Sequence, residues 1–157
     1  MKRHRGARSG GFSLLEVVIV VAIIAILAAI GIPRMSRGAK GASDSALAGD
    51  LATLRNAIDL YATEHGGVFP QYPDPNKALT MYTDNTGRTN GLKVSPYIYG
   101  PYMRTIPPVP VGADKGSVKM AAAAATGVGW VYDAAEGKIY ANTGDEHDEA
   151  GKLYTDY

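Results

Sequence analysis

Hydrophobic and polar positions change their pattern sharply along the chain. From Phe12 to Ile32 the residues are apolar almost without a break, and Glu16 is the one charge among them. At ~1.5 Å rise per residue, about 20 helical residues match a hydrocarbon core of ~30 Å, so the stretch is long enough to span a bilayer. A carboxylate in lipid costs about 2.5–3.5 kcal/mol, and Glu16 therefore calls for a counter-charge. Past Ser43 the apolar positions become periodic. Leu47, Leu51, Leu54, Ile58 and Tyr61 or Ala62 recur at helical spacing, with Asp44, Asp50, Arg55, Asp59 and Glu64 falling elsewhere. That is the pattern of an amphipathic helix. Ser43 is a local N-cap candidate, yet the helix is expected to run through from the apolar stretch and stop at His65-Gly66-Gly67, where glycine supplies a left-handed cap. A helix of about 50 residues is roughly 80 Å long. One small domain cannot bury it, so lipid or further copies of the chain must cover its first half.

The remaining sequence reads as loop and strand. Gln71 to Pro110 is rich in Pro, Gly, Asn and Tyr, predicting one short helix near Asn76 to Tyr82 and loop around it. Between Gly116 and Gly127 the run Ala121 to Ala125 is either a helical turn or a flexible insertion. Gly129–Asp133 and Lys138–Asn142 are aromatic and β-branched runs flanking Ala134-Ala135-Glu136-Gly137, a hairpin signal. The two-residue period puts Trp130 and Tyr132 on one face, expected to cover the helical stripe, with Trp130 in the core rather than serving as a ligand platform. A coiled-coil seam to a partner is the other use open to the stripe. The fold class expected is α+β: a long N-terminal helix packed on a small antiparallel sheet.

Charge and chemistry refine this. The formal charge of +1 over 157 residues hides an asymmetry, because Lys2, Arg3, Arg5 and Arg8 precede Phe12 with no acid, and removing residues 1–11 leaves −3. Cations stay in the cytoplasm, so the N-terminus is expected inside and the polar part outside the inner membrane. No basic stripe argues for nucleic acid. There is no cysteine, so no disulfide closes a loop. His4, His65 and His147 lack metal spacing, and neither a phosphate-binding glycine loop nor a Gly-x-Ser-x-Gly elbow is present, so no enzyme activity is expected. The tail Asn142 to Gly151 gathers Asp145, Glu146, Asp148 and Glu149. Oxygen ligands of this kind suit calcium, with Asp145 and Asp148 the candidates; a solvated charge run is the plainer reading.

A cut between Gly11 and Phe12 would place a new amine on Phe12 beside a carboxylate at the fifth position, supplying the counter-charge. A short basic leader ending in glycine, then phenylalanine, then glutamate five residues into a hydrophobic helix, closely resembles the type IV pilin and pseudopilin family, through Pro33. The resemblance implies cleavage after Gly11 by a prepilin peptidase, N-methylation of Phe12, storage in the inner membrane as a single-pass protein, and assembly on an inner-membrane platform into a helical homopolymer or mixed filament. In that family the glutamate pairs with the amine of a neighbouring subunit, which gives Phe12 and Glu16 the assembly role. A bend at Gly31 and Pro33 is implied as well, proline removing a backbone hydrogen bond.

The parts expected are a leader (1–11), a transmembrane and assembly helix (12–33), its amphipathic continuation (34–66), a loop region (67–110), and a small sheet with a C-terminal loop (111–157). Gly67-Val68-Phe69-Pro70 resembles the Gly-x-Tyr-Pro helix end of major pseudopilins, with Phe69 for tyrosine, and the Ile106-Pro107 connector is similar too. Pro108-Val109-Pro110-Val111-Gly112 stands where those proteins have Asp-Pro-Trp-Gly. Similar pseudopilins bind calcium near the C-terminus. Three functions stay open: a pseudopilin of type II secretion, forming a periplasmic filament; a type IV pilus subunit, displayed outside for adhesion, motility or DNA uptake; and a membrane-tethered binding module without a filament. A signal peptide cut near Ala29-Ile30-Gly31 and a plain single-span anchor are the other readings of the apolar run.

Overall fold

The structure is a computed structural model that describes residues 11–157, and between 31 and 37 the backbone alone. One helix, α1 (Leu14–Glu64, 51 residues), takes up both the apolar run and the amphipathic stripe. The chain divides into two compact units, one ending at Gly38 and the other Ala39–Tyr157.

In the first unit the apolar side chains from Leu14 to Ile30 face outward, Ile23 being 52% and Leu27 65% exposed. Among the described residues no helix is long and apolar enough to cross a membrane. The expected span, 12–33, ends beyond the last described side chain of this run, Ile30. Gly31 and Pro33, where a bend was expected, likewise lie outside the described side chains.

The second unit builds its core on the stripe. Leu47, Leu51, Leu54, Ile58 and Tyr61 are fully or almost fully buried, one cluster with Trp130, Tyr132, Ile139 and Ala141 from the sheet. Burying a leucine or isoleucine side chain contributes about 1.5–3 kcal/mol, so this seam is the main tie between helix and sheet. α1 stops where glycine ends it: Gly66 and Gly67 take φ of 65° and 88°, and the Gly67 N–H donates to the Ala62 carbonyl at 2.8 Å.

The short helix is α2 (Pro75–Thr80). Asp74 caps it, accepting the Lys77 N–H at 3.2 Å. It ends before the predicted Tyr82 because Met81 is already extended, and Tyr82 begins a strand instead. β1 (Tyr82–Thr83) pairs antiparallel with β2 (Thr89–Asn90), so the region expected to be loop holds a small ladder of its own. The main sheet has three strands: β3 (Met120–Ala121), β4 (Trp130–Asp133) and β5 (Lys138–Ala141). The hairpin forms as expected, Trp130 opposite Ala141 and Asp133 opposite Lys138. β3 lies parallel to β4, making the sheet mixed rather than antiparallel throughout.

The alanine run is neither of the alternatives in full. Ala121 ends β3, and Ala122 to Ala125 form an exposed bend. Its foot is tied by Asp114, which accepts the Gly127 N–H at 2.7 Å, and by the Ser117 hydroxyl donating to the Gly127 carbonyl at 2.7 Å. Trp130 and Tyr132 are both inaccessible, their polar tips donating to the carbonyls of Pro107 at 2.9 Å and Pro70 at 3.1 Å. That is how large aromatics with a polar handle are held in a core.

Candidate processing and assembly site

Gly11, Phe12 and Ser13 precede the helix in irregular backbone, and all are exposed, Phe12 by 82%. The Ser13 carbonyl accepts the Val17 N–H at 3.2 Å, the first bond of the helical ladder. Nothing lies within 4 Å of where a side chain on Gly11 would stand. Among the described residues the Gly11–Phe12 peptide is therefore non-helical and uncovered.

Glu16 falls in the first turn of α1, where a carboxylate offsets the positive end of the helix dipole. The charge is one turn beyond Phe12 and exposed. Among the described residues the ion pairs are Lys77–Asp74, Arg88–Asp84 and Lys138–Glu136, and Glu16 is in none. Its environment is thus a band of outward apolar side chains with one acid at its start.

The tail carboxylates are arranged otherwise. Asp148 Oδ1 accepts the N–H groups of Ala150 and Lys152, each at 2.8 Å, and Oδ2 accepts the Tyr157 hydroxyl at 2.5 Å. These bonds, the tyrosine's first, hold the Asp148 carboxyl below its usual range, while the same hydrogen bond and then burial push Tyr157 up to about 12. Asp145 is exposed beside it. Among the described residues no group of three or more His, Asp or Glu side chains converges on a point that would hold a metal ion. Asp148 is committed to its own turn by these three hydrogen bonds.

Several residues that hold the unit together are missed by a reading of the sequence. Asp44 is buried on α1, accepting the Tyr154 hydroxyl at 2.6 Å and the Glu149 N–H at 3.1 Å. Its spacing from Leu47 and Leu51 is the available signal, since it continues the buried stripe. Arg55 donates to the main-chain oxygens of Ile139, at 3.3 Å, and Tyr157. His65 is buried with its ring nitrogens 2.9 Å from the carbonyls of Tyr61 and Asp84, and its ring stacks on Tyr61. Asp84 is inaccessible: burial pushes its carboxyl up, and bonds from Thr86 and Arg88 outweigh this, leaving it at about 2. A groove of about 590 Å³ is open and lined by Tyr61, Tyr72, Lys77 and Arg88 among others; both of these cations are already paired.

Comparison with protein-family models gives a match to the model described as the prokaryotic N-terminal methylation motif, over residues 6–32. Comparisons with curated proteins and with solved structures gave no match. The matched residues contain the Gly11–Phe12 junction, Glu16 and the outward apolar face of the first unit. The chain carries the prokaryotic N-terminal methylation motif, the prepilin signal of type IV pilins and pseudopilins, on a long helix joined to a small α+β unit.

Proposed function

We propose that this chain is a structural subunit of a type IV pilin-like filament, cut by a prepilin peptidase between Gly11 and Phe12 and methylated on Phe12. One observation carries the reading: the methylation motif coincides with a helical stretch whose apolar side chains have no cover among the described residues. Lipid covers them before assembly, the N-terminus being cytoplasmic and residues beyond the apolar run outside the inner membrane. Other subunits cover them afterwards.

Cleavage creates an amine at the positive end of a helix dipole, an unfavourable place for a cation. Glu16 of an adjacent subunit offsets both charges, and each incoming subunit stops at the stagger where its amine meets a carboxylate. The cost of the unpaired acid in lipid, about 2.5–3.5 kcal/mol, is relieved at that step.

A pseudopilin of type II secretion is the reading favoured by the Phe69-Pro70 helix end, the Ile106-Pro107 connector and the absence of a cysteine-closed loop. A type IV pilus subunit is favoured by Pro108 to Gly112, which replaces the Asp-Pro-Trp-Gly element. The experiment is the intact mass and N-terminal sequence of protein taken from its own membranes, alongside sedimentation of sheared filaments. A start at methylated Phe12 is expected, and Glu16→Leu should still be cut yet yield no filament. A start near Ile32 would sink the proposal in favour of signal-peptide cleavage. Processed but strictly monomeric protein would favour a tethered binding module.

A further inference from the structure

In the second unit, the loop between β2 and Tyr99 presents Leu92, Val94 and Ile98 at 70%, 47% and 54% exposure. Its root is fixed, by the β1–β2 pair and by a bridge from Thr83 to Tyr99, so the apolar tip is held out on a rigid stem. From Asn85 to Ala113 the chain has no acid, and with Arg88 paired to Asp84 the cations left over are Lys93 and Arg104. The other end of the folded helix has the opposite sign. There the loop 145–149 exposes Asp145, Glu146 and Glu149, with Asp148 half-buried, against Lys152 as the cation that follows. Glu146 shares a shallow cleft with Lys40 and Lys115, which leaves Asp145 and Glu149 to carry the excess.

The two loops are anchored at opposite ends of the same helical segment. The acidic loop is tied to Asp44 through Glu149 and Tyr154, and the basic loop to His65 through the Asp84 carbonyl. At ~1.5 Å per residue these anchors stand about 30 Å apart, too far for the loops to meet within one molecule. Two unlike, complementary patches on opposite ends suit a head-to-tail contact between copies, which builds a ring or an open helical array rather than a two-fold dimer. Exposed apolar side chains rimmed by charge are what such an interface needs, the apolar part being desolvated and the charges fixing the register.

We propose that the apolar-basic loop around Leu92, Val94 and Lys93 docks on the acidic loop 145–149 of a second copy of this chain. The proposal rests on the filament reading and adds to it a contact made by the folded units.

The test uses the full chain in its host membranes and exploits its lack of cysteine. Leu92→Cys combined with Asp145→Cys should, on mild oxidation, give a ladder of dimers, trimers and higher multimers. Either single variant should stop at dimers. Lys93→Glu in the double-cysteine chain should cut the ladder several-fold, and adding Glu149→Lys should restore it. Sedimentable filaments without a ladder would overturn this contact and leave the filament reading standing. Dimers alone from the double variant would overturn it in favour of a symmetric pair. If lipid shields the thiol of the Leu92→Cys variant from a water-soluble maleimide and no ladder forms, the contact is overturned in favour of a membrane surface. Neither filaments nor crosslinks would overturn both proposals.

Discussion

The two halves of α1 are one helix with opposite relations to the chain that carries it. From Leu14 to Ile30 large apolar side chains point outward, and nearly every one is about half exposed or more. From Leu47 to Ala62 the apolar positions fall on one stripe, and that stripe is sealed. Helical backbone bonding is identical in both, so the difference lies wholly in side-chain environment. The second half finds its apolar partner in β4 and β5. Among the described residues the first has no such partner, which is why the proposed function gives it lipid or further subunits as its cover.

The sharpest way to break this contrast is to truncate one leucine in each half. Leu54→Ala should destabilise the folded unit by about 2–5 kcal/mol through lost transfer energy and a residual cavity, seen as a large drop in Tm followed by near-ultraviolet dichroism of Trp130. Leu27→Ala should leave that transition unmoved, within about 0.5 kcal/mol. Equal effects would show that the halves are not independent.

A smaller effect is expected at the staple between helix and tail. Tyr154→Phe removes the hydroxyl bonded to Asp44 and leaves a buried carboxylate with the Glu149 N–H alone, which should cost about 1–3 kcal/mol. Amide hydrogen exchange should quicken from Glu149 to Asp156 and stay slow along β4. In a chain without cysteine, this hydrogen bond holds the C-terminal loop to the helix together with the Glu149 N–H on Asp44 and Arg55 on Tyr157.

The smallest effect is an acid dependence confined to the folded half. Asp84 has its carboxyl held at about 2, below the ~3.9 of an unfolded aspartate. A depressed folded pKa gives stability that is complete above the unfolded value and fades as pH falls through the folded one. The unit should therefore lose stability between about pH 4 and pH 2. Asp84→Asn should flatten that loss, and an unchanged acid limb in this variant would assign it to other carboxylates.

What can be read in advance follows from periodicity and local chemistry. The stripe at 47, 51, 54, 58 and 61, the glycine stop, the Trp130 hairpin and the Gly11–Phe12 junction are short-range patterns, set by helical or two-residue spacing and by the backbone freedom of glycine. Asp44 reads as a polar-face residue when charge is weighed before position, although its position continues the stripe. The end of α2 reads two residues too long because Met81 is extended for the sake of β1, a pairing made with residues further along.

The sequence alone determined that one long helix would be apolar at its start, amphipathic at its end and free of disulfides, because each of those is a property of neighbouring residues. Only the tertiary structure decided that Asp44 receives Tyr154, that Arg55 reaches the main-chain oxygens of Ile139 and Tyr157, and that β3 joins β4 in parallel. Those contacts join residues far apart in the chain, and no local spacing encodes which distant partner will satisfy a buried polar group. Burial itself forces the choice: a carboxylate or a strand edge removed from water must be bonded to whatever the fold brings beside it.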